Sequence, residues 1–103
     1  MAHVFGSINS DGTINSGSSN DGRGTGNGFS VTSNSGAGSY TISFNSDVGG
    51  TPCVVASANP STSSGRTIAL PVSVGSGGFN IQTYVNARPE DVAFSFDATI
   101  VNQ

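Results

Sequence analysis

The sequence contains no lysine and no tryptophan, and it has only one leucine (Leu70) and one glutamate (Glu90) in 103 residues. Lysine, leucine and glutamate favour helices, because their side chains lose little rotamer freedom in a helix. Helical bundles and coiled coils are therefore excluded.

Positive charge is equally scarce. Arg23, Arg66 and Arg88 are the only cationic side chains besides one histidine, and the formal net charge is −3. Nucleic acids and anionic membranes attract clusters of basic residues, so neither is predicted as a partner. No apolar run approaches the ~20 residues that span a bilayer, so no membrane insertion is predicted. The first residues lack the regions of a Sec signal peptide, which leaves cytoplasmic, virion-associated and non-classically secreted locations open.

Cysteine and histidine occur once each, as Cys53 and His3. A single cysteine excludes an intrachain disulfide, and its apolar neighbours indicate a small buried residue. His3 lies in a segment expected to fray, which argues against a serine–histidine catalytic pair. The glycine-rich residues 22–28 lack the lysine of a phosphate loop and the acidic spacing of a calcium loop. No catalytic residue, metal or cofactor is predicted.

Glycine, serine, threonine and asparagine make up 52 residues, half of the chain. Disorder does not explain the remainder, because apolar and polar side chains alternate in ordered runs within residues 29–32, 40–45, 68–74, 79–84 and 94–100. Such alternation is typical of half-buried strands, and the short connections favour antiparallel pairing. The sequence therefore predicts a single all-β domain over residues 1–103, an antiparallel β-sandwich of about six strands.

The connections between these strands are marked by glycine. Residues 10–13 are a two-residue hairpin signal, and residues 36–38 and 75–78 are predicted turns. Residues 16–28 contain no apolar side chain, so they are predicted to form one long, flexible, Gly/Ser-rich loop.

Residues 53–58 are apolar on both faces of the predicted strand. A two-layered sandwich buries only one face of a strand, so the other face needs a cover. A second copy of the chain provides one, so a homo-oligomer is predicted, and these residues alone leave both a trimer and a hexamer open. The alternative is that a loop of the same chain covers this strand.

A group of polar side chains in the C-terminal half has the chemistry that sugar recognition uses, namely planar donors, carboxylate acceptors and one aromatic face. Its members are Arg66, Tyr84, Asn86, Arg88, Glu90 and Asp91. An ion pair between protomers, from Arg88 to Glu90 or Asp91, explains some of the same residues without a ligand. Both interpretations stay open.

The chain also resembles a known family. Residues 65–74 (GRTIALPVSV), 78–84 (GFNIQTY) and 93–98 (AFSFDA) are similar to the H-type lectin domain pattern. Residues 40–44 and 51–55 fit the same pattern, which is also seen in phage tail-fibre head domains. Residues 5–14 resemble sequences found in small bacterial or phage proteins.

This resemblance implies a six-stranded trimeric sandwich that binds sugars in clefts between protomers. It implies that Arg66 contacts the sugar, that Tyr84 and Asn86 form the wall beside it, and that Asp21 contributes acceptors from an early loop. Arg88 joins this set from the polar group described above. The expected function is a non-enzymatic, multivalent recognition module for cell-surface glycans. The alternative is a structural or fibre-head assembly protein without a small-molecule ligand.

Overall fold

The computed structural model describes residues 2–19, 28–34, 36–60 and 65–100. Within these ranges the chain is all-β, with nine strands and no helix. The strands are β1 (Ala2–Ile8), β2 (Ile14–Ser19), β3 (Phe29–Asn34), β4 (Ser39–Phe44), β5 (Cys53–Ala58), β6 (Thr67–Gly75), β7 (Gly78–Val85), β8 (Arg88–Pro89) and β9 (Phe94–Ile100). No helix in the ranges given has the length and apolarity of a membrane span.

Two antiparallel sheets form the fold, as the alternating sequence predicts. Sheet A has the strand order β2-β1-β9-β5, and sheet B has the order β3-β4-β7-β6, with the short β8 paired to β7 beyond the end of β4. The first and last described strands are neighbours, since Ala2 lies opposite Ile100. This arrangement fits a sandwich-like architecture in which each strand has one inward and one outward face.

The core is built from alternate residues of both sheets. In β9 every second residue is buried, from Phe94 to Ile100, and β4 and β7 alternate in the same way. Three edge-on ring contacts join the sheets: Phe29 with Phe96 at 5.0 Å, Phe79 with Phe96 at 5.2 Å, and Tyr40 with Phe94 at 4.9 Å between centroids. Aromatic pairs in this geometry add stability beyond the area that they bury.

The prediction of one loop over residues 16–28 is wrong at its start. Residues 16–19 belong to β2 and pair with β1. The strand needs no large apolar side chains because the ring of Phe29 fills the space beside it. A Cβ atom on Gly6 or Gly17 would lie 2.6 or 2.8 Å from that ring. Residues 20–27 lie outside the described part of the chain.

The hairpin signal at residues 10–13 is confirmed, but the turn is longer than predicted. Asn9 N donates to Thr13 O and Gly12 N donates to Asn9 O, both at 2.9 Å, so three residues form the loop. Gly12 has φ 90°, the left-handed conformation that closes such a loop. Hydrogen bonds from the side chain and the backbone of Thr13 lower the pKa of Asp11.

The prediction that Cys53 is buried is also wrong. Cys53 is exposed, because β5 turns Val54, Ala56 and Ala58 towards the core and Cys53 and Val55 outwards. Val55 is 68% exposed in the single chain. The cover predicted for this outer face stays a prediction.

Gly38 allows the closest backbone approach in the turn between β3 and β4. It has φ 67°, and a Cβ atom there would lie 2.6–2.8 Å from backbone atoms of Thr83 and Glu90. Gly36, in the same turn, has φ 82° but open space around it. The two glycines therefore separate the effect of conformation from the effect of crowding.

We expect Gly38→Ala to lower the free energy of unfolding by roughly 3 kcal/mol or more, because left-handed strain and a backbone clash add together. Gly36→Ala carries the strain alone and should cost about 1–2 kcal/mol. Urea denaturation of both variants measures the difference. Equal losses would show that the close approach at Gly38 is not needed.

Candidate functional site

The hairpin of β7 and β8 forms the exposed end of sheet B where most of the predicted sugar-binding residues lie. Its turn consists of Asn86 and Ala87, whose φ values are 51° and 68°. Two successive left-handed residues define a type I′ turn, the form that matches the twist of a hairpin. Asparagine adopts this conformation readily, whereas alanine does so with strain. The turn fixes the direction in which β8 leaves.

Arg66 and Asn86 face each other across the start of β6. Asn86 N donates to Arg66 O at 2.8 Å, and Arg66 N donates to Asn86 Oδ1 at 3.1 Å. The Asn86 amide also packs against Gly65, which has φ 135°. Asn86 therefore has a structural role that its position in the sequence did not reveal, because it holds Arg66 in place.

Tyr84 lies on the outer face of sheet B and is half-buried. Its neighbours across the strands are Ile68 on one side and Pro89 on the other. Arg66 is two residues before Ile68 and so falls on the same face. An aromatic ring between two apolar side chains, with an exposed arginine on the same face, is a surface on which a sugar ring can stack.

The other two predicted residues are not part of this cluster. Arg88 lies opposite Val85, so its side chain leaves the hairpin on the other face from Tyr84 and Pro89. Asp21 lies outside the described residues. The structure thus brings together Arg66, Tyr84 and Asn86, and it separates Arg88 from them.

Asp91 anchors the segment that follows β8. Its two carboxylate oxygens accept hydrogen bonds from Gly36 N and Gly38 N, each at 2.8 Å. The Thr83 hydroxyl adds to this contact, since it lies 2.5 Å from Glu90 O and 3.2 Å from Gly38 O. Asp91 therefore ties the β7–β8 hairpin to the β3–β4 turn within one chain. This observation disfavours Asp91 as the acceptor of an ion pair between protomers.

Tyr40 connects sheet B to the β1–β2 loop. Its side chain is fully buried, and its hydroxyl donates to Ser10 O at 2.7 Å. Burial raises the pKa of Tyr40 to about 12, and the negative charge of Asp91 contributes to the same direction. The folded structure therefore favours the protonated hydroxyl, which donates the hydrogen bond to Ser10 O.

Sequence reasoning missed a second polar group, on the outer face of sheet A. His3 lies within β1, where its Nδ1 is 2.9 Å from Asp97 Oδ1. Phe5 lies directly opposite Asp97. Alternation in β9 does place Asp97 outside, but only the strand order shows that β1 is its neighbour. Among the described residues no three His, Cys, Asp or Glu side chains are grouped to hold a metal ion.

Comparison of the chain with family models, with curated proteins and with solved structures finds no match.

The Tyr40 hydroxyl leads to a prediction for alkaline pH. A tyrosine whose pKa is higher in the folded than in the unfolded state contributes stability that is complete below pH 10 and is lost as the pH rises towards 12. We expect the unfolding free energy to fall across this window. Tyr40→Phe should cost about 1 kcal/mol at pH 8, because the bond to Ser10 O is lost. The unfolding free energy of the variant should fall less steeply with rising pH than that of the wild type. Urea denaturation at pH values between 8 and 12 measures both curves, and equal slopes would contradict the prediction.

Proposed function

We propose that this chain is a non-enzymatic, carbohydrate-binding recognition module that acts as a homotrimer. The observation that carries the proposal is the grouping of Arg66, Tyr84 and Asn86 at one exposed end of sheet B. Tyr84 offers its ring for stacking, and Arg66 offers donors to sugar hydroxyls. Asn86 keeps Arg66 in position through its hydrogen bond to the Arg66 N–H.

The trimer is supported by an apolar stripe on β6. Ile68, Leu70 and Val72 point outwards and are each 42–46% exposed. Every strand residue of β3, β4, β6 and β7 is uncharged, so the outer face of sheet B meets a second copy without like-charge repulsion. Interface cores are depleted in charge in the same way.

The stripe is a better interface than the outer face of β5. There Val55 lies next to Asp97, whose carboxylate would lose water in a dry contact. On β6 the neighbours across the sheet are uncharged, since Tyr84, Gln82 and Asn80 lie opposite the stripe. We therefore propose that the contact between copies lies on β6 rather than on the outer face of residues 53–58, where the apolar pattern of the sequence predicts it.

Side chains, rather than added strand pairing, carry this contact. The bond from Asn86 N to Arg66 O fixes the alternation of β6, so Thr67, Ala69 and Pro71 direct their backbone away from β7. Pro71 has no N–H, which interrupts the donors along that edge. Such prolines protect sheet edges against the addition of another strand.

The same stripe also favours the second candidate function, an assembly or fibre-head protein without a small-molecule ligand. In that case β6 would join copies to one another and Tyr84 would be part of the contact. Glycan binding and assembly are separate measurements, so the two candidates are distinguishable.

The lectin proposal predicts glycan binding by the multivalent protein on a glycan array. Arg66→Ala and Tyr84→Ala should each weaken binding at a single site by about 3- to 10-fold, and avidity should enlarge this loss on the array. Tyr84→Phe keeps the ring and should retain most of the binding.

The matched control is Thr41→Ala, which changes an exposed residue on the same face but away from the turn. An array on which no carbohydrate is bound, together with an Arg66→Ala effect on thermal stability alone, would refute the lectin function.

The assembly proposal predicts a mass by light scattering of about three chains, which is three times 10.2 kDa. Leu70→Asp should dissociate the trimer, because it places a charge in the apolar contact. Thr51→Asp adds the same charge at an exposed position outside sheet B and should leave the mass unchanged. A wild-type mass of one chain contradicts the trimer, and dissociation by Val55→Asp but not by Leu70→Asp places the contact on β5 instead.

A further inference from the structure

The outer face of sheet A carries two rows of side chains that the pairing of β2, β1, β9 and β5 sets side by side. Phe5, Asp97 and Val55 lie opposite one another and form the first row. The neighbouring row consists of serines from all four strands: Ser16, Ser7, Ser95 and Ser57. A band of apolar groups around one carboxylate thus borders a band of hydroxyls.

Two hollows open on this face, on either side of β9. One has a volume of about 490 Å³ and lies between Phe5, Ser16 and Ser95. The other has a volume of about 350 Å³ and lies between Val55, Ser57 and Asp97. Both include Ser95 and Phe96 in their lining, so the two hollows adjoin the same stretch of β9 from opposite sides. Their volumes fall in the range of small-ligand sites, and both are shallow and open to solvent.

The groups along this groove match the two kinds of surface that a sugar ring presents. Phe5 is 40% exposed and offers a ring face for the C–H side of a pyranose. The Asp97 side chain is 44% exposed, and its carboxylate has acceptor positions beyond the one near His3. The serine row offers hydroxyls that both donate and accept.

The same groups argue against other occupants. A protein surface seated here would have to cover Asp97 between two apolar side chains, at a large desolvation cost. An acidic sugar would meet the Asp97 carboxylate in a chain whose net charge is already −3. A neutral saccharide avoids both problems.

We infer that this groove is a second carbohydrate site, which takes a neutral oligosaccharide of at least two pyranose rings laid across the strands. One ring stacks on Phe5 in the larger hollow, and the next ring crosses β9 towards Val55 with its hydroxyls on Asp97 and the serine row. The inference extends the proposed function to a face that lies on the other sheet from Tyr84. The β6 contact between copies leaves this face open.

The test is a titration of the full chain, labelled with ¹⁵N, with maltotetraose, cellotetraose and chitotetraose, each followed by amide chemical shifts. We expect at least one saccharide to give saturable shifts at residues 5–7, 55–57 and 95–97. Phe5→Leu keeps an apolar side chain and removes the ring, and it should weaken binding at these residues about tenfold. Asp97→Asn should weaken it further, while the wild-type pattern of unaffected amides reports that the variants are folded.

The control variant is Thr32→Ala, an exposed change on sheet B, which should bind as the wild type does. Shifts confined to residues 66 and 84–86 would overturn the second site and leave the proposed function standing. Saturable shifts on sheet A alone would support the second site and reject the one at Tyr84. No shift with any of the three saccharides, or binding that Phe5→Leu and Asp97→Asn leave unchanged, would overturn the inference.

Discussion

The contact of two phenylalanines of β9 with sheet B holds the fold together. Phe96 meets Phe29 and Phe79, and Phe94 meets Tyr40, so one strand of sheet A reaches three strands of sheet B. Half of the chain is glycine, serine, threonine and asparagine, which bury little apolar area. The hydrophobic stabilisation is therefore concentrated in a few large rings. A shift of β9 by one residue would turn both rings to the outside.

The two sheets differ in the side chains that they turn outwards. Sheet B has no charged side chain in its four long strands, and its apolar stripe runs along β6. Sheet A has Asp97 and His3 paired in the middle of its outer face, beside Phe5. The uncharged face suits contact between copies of the chain, and the polar face suits a hydroxyl-rich ligand. A ligand on sheet A thus need not compete with assembly, whereas the proposed site at Tyr84 lies directly beside the stripe on β6.

The sequence predicts the parts of the fold that rest on large side chains. Alternating apolar residues in β4, β7 and β9 are buried as expected, and glycines mark the turns at residues 36–38 and 75–78. β2 lacks this signal, because residues 16–19 have no apolar side chains. Gly17 leaves room for the ring of Phe29 instead. Cys53 was misplaced because apolar neighbours on both sides gave no sign of which face was inward.

The site depends on pairings between distant residues, and these are not visible in the sequence. The chemistry of Arg66 and Tyr84 marks them as candidates, but it is the register of β6 on β7 that puts them on one face. The charge of Asp91 suggests a binding role, whereas its carboxylate accepts two hydrogen bonds from a turn more than fifty residues away. Phe5 and Asp97 become neighbours only because β9 lies next to β1. The sequence therefore indicates which residues have suitable chemistry, and the strand order decides which of them are neighbours.

That strand order also sets a schedule for folding during synthesis. The middle of sheet A contains β9, which is translated after the other eight described strands, so β1 and β5 have no common partner until residues 94–100 leave the ribosome. Until then Phe29, Tyr40 and Phe79 lack the rings that cover them. Sheet B, whose four long strands are complete by residue 85, can form first and serve as the template on which the remaining strands assemble. A ribosome stalled before residue 94 would therefore hold a chain whose apolar rings are uncovered and which is prone to aggregate.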